Sequence, residues 1–165
     1  MSYRIFLRVP QISDCDEFLK IPKSNLAPFI YPPSNKKEYL KYVESITEKE
    51  NKVGLFLCLK KTNQIIGIIN FNEIVRGALQ SAYLGYYLFK DYEGKGYMFE
   101  GLKCAIVHGF KIINLHRLEA NIQPNNLRSI KLVKSLGFKK EGFSPRYLKI
   151  KGRWRDHERW AILKE

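Results

Sequence analysis

At 165 residues, with 45% hydrophobic and 27% charged residues, the chain has the length and make-up of one globular domain spanning 1–165. No apolar run approaches the roughly 20 residues of a membrane span, and the first residues lack a signal-peptide core of sufficient length, so no membrane partner and a cytoplasmic location are expected. The net charge of +13 favours anionic partners such as coenzyme phosphates, nucleic acid or an acidic peptide, although a basic solvated surface accounts for it equally well.

Residues 3–9 alternate apolar and polar and read as an opening strand. Residues 14–26 and 36–50 read as helices, with Ser13 and Asn35 as N-caps. Prolines at 28, 32 and 33 forbid one continuous helix between them. Residues 53–60 and 64–74 are β-rich and meet at a Lys61-Thr62-Asn63 turn. Arg76-Gly77 turns the chain into a strand over 82–89. After Gly94-Lys95-Gly96, the residues Met98, Leu102, Ala105, Ile106, Phe110 and Ile113 fall three or four apart and share one helix face. Residues 117–123 read as a strand, which Pro124-Asn125-Asn126 ends. A short basic helix over 127–136 follows, with Asn126 as its N-cap and Gly137 past its end. Strands over 140–150 and 153–163 join at Lys151-Gly152. Phe138, Phe143, Tyr147 and Trp154 interleave with basic residues here; they suit either base stacking or, at strand spacing, a sheet core. Cys15, Cys58 and Cys104 are odd in number, far apart and in apolar contexts, which suggests reduced core thiols and neither a disulfide framework nor a metal site.

The expected class is α+β: a mixed, mostly antiparallel sheet flanked by helices. One strand–helix–strand crossover makes its two strands parallel neighbours. The glycine turn inside that crossover carries the clearest chemistry. A turn opening a helix leaves backbone N–H groups unpaired at its positive end, and glycines let a bulky anion approach them. The natural ligand is a phosphate or pyrophosphate, although a plain tight turn has the same local pattern. A dinucleotide fingerprint is rejected because Phe99 stands where its third glycine belongs, and the spacing excludes a P-loop.

The order of elements, the turn Glu93-Gly94-Lys95-Gly96-Tyr97-Met98, and the Asn126-x-x-Ser129 helix ending in Leu136-Gly137-Phe138 together resemble the GCN5-related N-acetyltransferases. LGYYL before the turn, GKGYMFE across it, NLHRLEAN and GRWRDH are similar to the Rim-type ribosomal-protein-alanine N-acetyltransferases. The likeness covers nearly the whole chain and is densest from Asn70 to His157. It implies acetyl-CoA as acetyl donor and a splayed parallel strand pair with the pantetheine arm in the gap. Tyr87, Leu88 and Phe89 would lie along that arm by backbone contact, with Asn121 on the facing strand and Asn126 near it. N–H groups from Glu93, Gly94, Lys95, Gly96, Tyr97 and Met98 would hold the pyrophosphate. Glu93 stands where most relatives have Gln or Arg, and its carboxylate would weaken phosphate binding unless it points away.

Ser129 matches a position where a related ribosomal-protein acetyltransferase uses Ser on the departing thiolate. A small residue at a helix–sheet contact is an equal reading. Val133 stands where many relatives carry a Tyr acid, Leu148 near a relative's Glu base, and Tyr83 at the family's common strand Glu. Glu73 is the remaining candidate base, and an exposed loop carboxylate is its plainer reading. His116, at the far end of its strand from the turn, reads as structural. The implied function is transfer of acetyl to a primary amine, specifically the N-terminal Ala or Ser of a protein of the ribosomal type, with nucleic acid not required. The alternatives are a small-amine (polyamine or aminoglycoside) acetyltransferase, and a non-catalytic basic RNA- or ribosome-binding module.

Overall fold

A computed structural model describes residues 3–23, 32–47 and 51–165. Its strands are β1 (Ile5–Arg8), β2 (Val53–Leu59), β3 (Ile65–Val75), β4 (Ser81–Leu88), β5 (Arg117–Ile122), β6 (Lys139–Ile150) and β7 (Arg153–Leu163). They form one sheet in the order β1-β2-β3-β4-β5-β7-β6. Every neighbouring pair is antiparallel except β4 and β5. The helices are α1 (Cys15–Lys20), α2 (Lys36–Thr47), α3 (Tyr97–Lys111) and α4 (Leu127–Ser135). No described helix is long and apolar enough to cross a membrane.

Helices cover both faces of the sheet, so the central strands are apolar on both sides. β2 reads VGLFLCL with Leu55, Phe56, Leu57 and Cys58 all buried, a continuous run rather than an alternation. On one face Leu57, Ile69, Phe71 and Leu118 pack with Leu102 and Ala105 of α3 and Ile130 and Val133 of α4. On the other, Phe56 and Ile68 pack with Phe18 of α1 and Tyr39 and Val43 of α2, and Phe18 stacks on Phe56 at 5.5 Å. α3 lies close against the sheet because Gly101 and Gly109 face it. A Cβ at either would meet Leu57 or Phe71 at 2.9 Å.

The helix expected over 14–26 ends at Lys20, and Ile21 is extended (ψ 126). Pro22 explains this, because the residue before a proline is pushed out of the helical region; residues 24–26 lie outside the described residues. Ser13 does not cap α1. It sits in a 3-10 turn over Ile12–Asp14, where the Asp14 carboxylate accepts the Gln11 N–H at 2.8 Å. A carboxylate that also takes Arg8 at 2.7 and 2.8 Å outcompetes a hydroxyl for this place. Asn35 does cap α2, accepting the Glu38 N–H at 3.0 Å, while Glu38 reaches back to the Ser34 N–H at 2.8 Å. Residues 48–50 of that expected helix lie outside the described residues. Ile113 falls beyond the end of α3 yet remains buried in the same core. The turns at Asn63, Gly77 and Lys151-Gly152 all have positive φ, which Asn and Gly adopt readily and Lys151 does not.

Candidate functional site

The site begins where β4 and β5 part. Their parallel pairing covers only Ser81–Tyr83 against Arg117–Glu119. Beyond it, β4 stays paired to β3 as far as Leu88, and β5 stays paired to β7 as far as Ile122. The facing edges of the two strands therefore have no partner in the sheet. The Phe89 N–H donates to Ile66 O at 2.9 Å, so by alternation the main-chain groups of Tyr87 and Phe89 face β3. Those of Leu84, Tyr86 and Leu88 face the gap. On the opposite side the Arg117 N–H points to Gln80 O, which puts the main chain of Glu119 and Asn121 toward β4. An extended chain lying in this gap would find donors and acceptors on both sides, as an added strand does.

Two side chains on the strands that part, Tyr86 on the α3–α4 face and Asn121 on the opposite face, carry buried polar atoms without a hydrogen-bond partner: the Tyr86 hydroxyl and Asn121 Oδ1. Buried polar groups are nearly always satisfied, so two orphans beside the parted strands mark a place built for a ligand's polar groups. Burial pushes the Tyr86 hydroxyl pKa up, and the adjacent Ser129 side chain pulls it back in part without forming a hydrogen bond of ordinary geometry.

The glycine turn closes the wide end of the gap. Gly94 and Gly96 have φ of 73° and 80°, the left-handed region that glycine adopts freely. Gly96 is the N-cap of α3 and no side chain caps that end, so the first N–H groups of the helix remain available to an anion. A network not visible in the local sequence braces the turn. Arg4 donates to Lys95 O at 2.8 Å and to Glu100 at 2.6 Å, and its guanidinium lies 4.5 Å from the Tyr97 ring. Lys95 Nζ donates to Asp91 O at 2.7 Å. Glu93 does not present a bare carboxylate, because Arg128 Nη1 of α4 donates to it at 2.7 Å.

α4 forms the wall behind the gap. Asn126 Oδ1 accepts the Ser129 N–H at 3.2 Å, which makes Asn126 the N-cap and fixes Ser129 in the first turn. Val133 is fully buried. The helix stops at Gly137 (φ 92°), with the Phe138 N–H donating to Val133 O at 3.1 Å.

On the opposite sheet face, where β4 and β5 are still paired, Tyr83 lies across from Glu119. A hydrogen bond with Tyr147, together with burial, pushes the Tyr83 pKa up to about 12. Arg117 holds Glu119 at 2.7 Å and also pairs with Glu141. Burial, outweighed by nothing else nearby, lowers the pKa of His108 on α3, which lies against Phe71 in the core. Glu73 is exposed, at a β-bulge in β3 between Asn72 and Val75, with φ of 48°. His157 is buried, with Nδ1 3.0 Å from Arg155 O and its ring edge-on to Tyr147. Of the aromatics near the C-terminus, Phe138 is core, whereas Phe143 and Trp154 are 50% and 59% exposed.

The fold thus sets Leu88, Asn126, Ser129 and the turn from Glu93 to Met98 about the parted strands, with the Asn121 side chain on the opposite sheet face, while the main chains of Tyr87 and Phe89, expected along the arm, turn to β3 instead. Glu73 lies apart from them, on the strand beyond β4. Sequence reasoning passed over Tyr86, Arg4 and Arg128. Tyr86 had one signal, its place in LGYYL, but only the register separates it from Tyr87.

Residues 4–139 match the acetyltransferase (GNAT) domain family. The chain is 31% identical over 169 residues to a probable N-acetyltransferase, YjcK, of Bacillus subtilis (strain 168), covering 96% of this chain and 93% of that protein. It is 47% identical to the [ribosomal protein uS5]-alanine N-acetyltransferase of Escherichia coli (strain K12) over 99 residues, 60% of this chain and 51% of that protein. It is 26% identical to a spermidine N(1)-acetyltransferase of Vibrio cholerae serotype O1 over 114 residues, 69% of this chain and 65% of that protein. Among solved structures, Mycobacterium smegmatis RimJ in complex with CoA-disulfide shares the fold, with a TM-score of 0.87 at 24% identity over 96% of this chain and 81% of that one.

Proposed function

Because the chain belongs to the acetyltransferase (GNAT) family and takes acetyl-CoA as its acetyl donor, we propose that its acceptor is the α-amine of a protein N-terminus beginning with alanine or serine, of the ribosomal-protein type. The observation that carries this reading is the 47% identity to the uS5-alanine enzyme across 60% of the chain, against 26% to the spermidine enzyme. The charge distribution supports it. A polycation needs unpaired carboxylates to meet it. Near the junction of β4 and β5, Glu119 and Glu141 are instead both held by Arg117.

The residues present suit acetyl-CoA. The parted strands leave main-chain edges and two orphaned polar atoms for the arm, and an uncapped helix end behind two left-handed glycines suits the pyrophosphate. Bound there, acetyl-CoA supplies a thioester whose carbonyl carbon an amine can attack. The gap-facing N–H groups of β4, at Tyr86 and Leu88, polarise that carbonyl. Asn126 and Asn121 would orient the arm, and Ser129 would stand near the sulfur. Glu73, exposed and apart from the gap, is not placed to act as base. A peptide α-amine has a pKa near 7.7–8.0, so part of it is already neutral at pH 7 and water can carry its proton away.

The test is kcat/KM with peptides beginning Ala or Ser, with spermidine and with an aminoglycoside, at matched pH and ionic strength. The peptides should exceed both small amines by tenfold or more, at least ~1.4 kcal/mol in transition-state binding. A tenfold preference for either small amine refutes the protein-N-terminus reading and leaves the acetyltransferase class intact.

A further inference from the structure

We propose that the Tyr86 hydroxyl is a catalytic hydrogen-bond donor that holds the departing sulfur of the acetyl donor, in company with Ser129. The inference rests on the acetyltransferase reading, but not on which amine is the acceptor.

Four observations converge on it. The Tyr86 hydroxyl is buried and has no partner, which native structures rarely tolerate unless something else supplies one. Its position is set by the splay. Beyond Tyr83, the last β4 residue paired to β5, Leu84, Tyr86 and Leu88 share the α3–α4 face, because they pack against that core. Tyr86 is thus the first polar side chain on that face once the strands part. An arm lying in the gap must end where the pairing begins, so its reactive end arrives at this level. Third, the Ser129 side chain approaches the same hydroxyl from the first turn of α4, whose N-terminus favours negative charge. Fourth, Val133, buried one helical turn further along α4, can donate nothing.

The step balances without an added reactant. The amine nitrogen forms a bond to the carbonyl carbon. The C–S bond breaks and its electron pair goes to sulfur. The proton lost by the amine leaves through water, and sulfur is protonated from solvent on release. Tyr86 keeps its own proton throughout. Burial holds the hydroxyl protonated well above neutrality, so it remains a donor across the working range. It acts as a fixed dipole aimed at developing charge, the same role that an oxyanion-hole donor plays.

The experiment compares wild type with Tyr86→Phe, Ser129→Ala and the double variant. Phe keeps the ring's packing and deletes only an unsatisfied hydroxyl, so the free protein should melt at the same temperature or higher. Its kcat with an N-terminal Ala peptide should fall roughly 10- to 100-fold, with KM for acetyl-CoA within about twofold. A second readout needs no turnover. With free CoA bound, ultraviolet difference titration between pH 6 and 9 follows thiolate formation, and Tyr86→Phe should lower the thiolate-to-thiol ratio about tenfold. Ser129→Ala should give smaller losses in both readouts, and the double variant the largest.

A Tyr86→Phe enzyme with wild-type kcat and a wild-type titration would overturn the proposal. So would a loss confined to KM or accompanied by a lowered melting temperature, since packing alone would cause either. A wild type that acetylates no amine contradicts the acetyltransfer reading instead, and the titration still decides the role of Tyr86.

Discussion

Gly96 shows how one residue connects backbone conformation to binding. Its φ of 80° costs any residue with a Cβ, and a Cβ there would lie 3.4 Å from Arg4 Nη2, in the network that braces the turn. Acetyl-CoA at about 100 times its Kd should stabilise the folded protein by ~2.7 kcal/mol, raising Tm by roughly 5–10 °C at this chain length. Gly96→Val should abolish most of that rise, and a correctly folded variant with an undiminished rise would show that the phosphates bind elsewhere. The Arg8–Asp14 pair makes a pH-dependent statement. Burial pushes the Asp14 carboxyl up, but hydrogen bonds from Arg8 and the Gln11 N–H outweigh it and hold its pKa below the usual carboxylate value. A depressed folded pKa stabilises the fold above the unfolded value near 3.9, and this contribution is lost as pH falls through the folded value. Asp14→Asn should therefore cost ~2 kcal/mol at pH 7 in urea unfolding, for a mostly buried pair. The gap to wild type should narrow below about pH 4. A difference that stays constant with pH would assign the loss to packing alone.

At the scale of elements, periodicity and turn chemistry made most of the sheet legible. The apolar run of β2, the alternation of β5, the Asn63 and Lys151-Gly152 turns and the Asn126 cap were all readable, because each is set within a few residues. The end of α1 was not: the helix expected over 14–26 runs past Pro22, which ends α1 at Lys20. The cap at Asp14 was not, since its carboxylate is fixed by Arg8 on β1 rather than by its own helix. The site divides along the same line. The glycine turn and the Asn126-x-x-Ser129 helix are local motifs that the sequence displays. Tyr86 and Tyr87 are adjacent and chemically alike; only the register with β3 and the early end of the β4–β5 pairing send one toward α4 and the other toward α2. Arg4 and Glu100 are 96 residues apart, and no local pattern announces such a pair.

Across the whole molecule, the +13 charge is unevenly placed. Arg146, Lys149, Lys151, Arg153 and Arg155 are all exposed on β6, β7 and their connecting turn, beside the exposed Trp154. Beside the glycine turn, by contrast, two carboxylates are occupied: Glu93 by Arg128 and Glu100 by Arg4. The molecule therefore offers anions two kinds of surface, an exposed basic arm and a built cradle. A second cleft of about 250 Å³, lined in part by Lys20, Lys90, Asp91 and Phe89, lies on the α1 side of the sheet and gives an alternative seat for a small ligand. The cradle between β4 and β5, rather than that cleft or the arm, is the proposed seat of acetyl-CoA. Amide hydrogen exchange with and without CoA tests it directly, because an open strand edge exchanges quickly until something pairs with it. Exchange should slow at Tyr86 and Leu88, at Asn121, and from Gly94 to Met98, with Trp154 and Lys20 unchanged. Protection confined to residues 149–155 or to the cleft around Lys20 and Lys90, with the β4 edge unaltered, would contradict it.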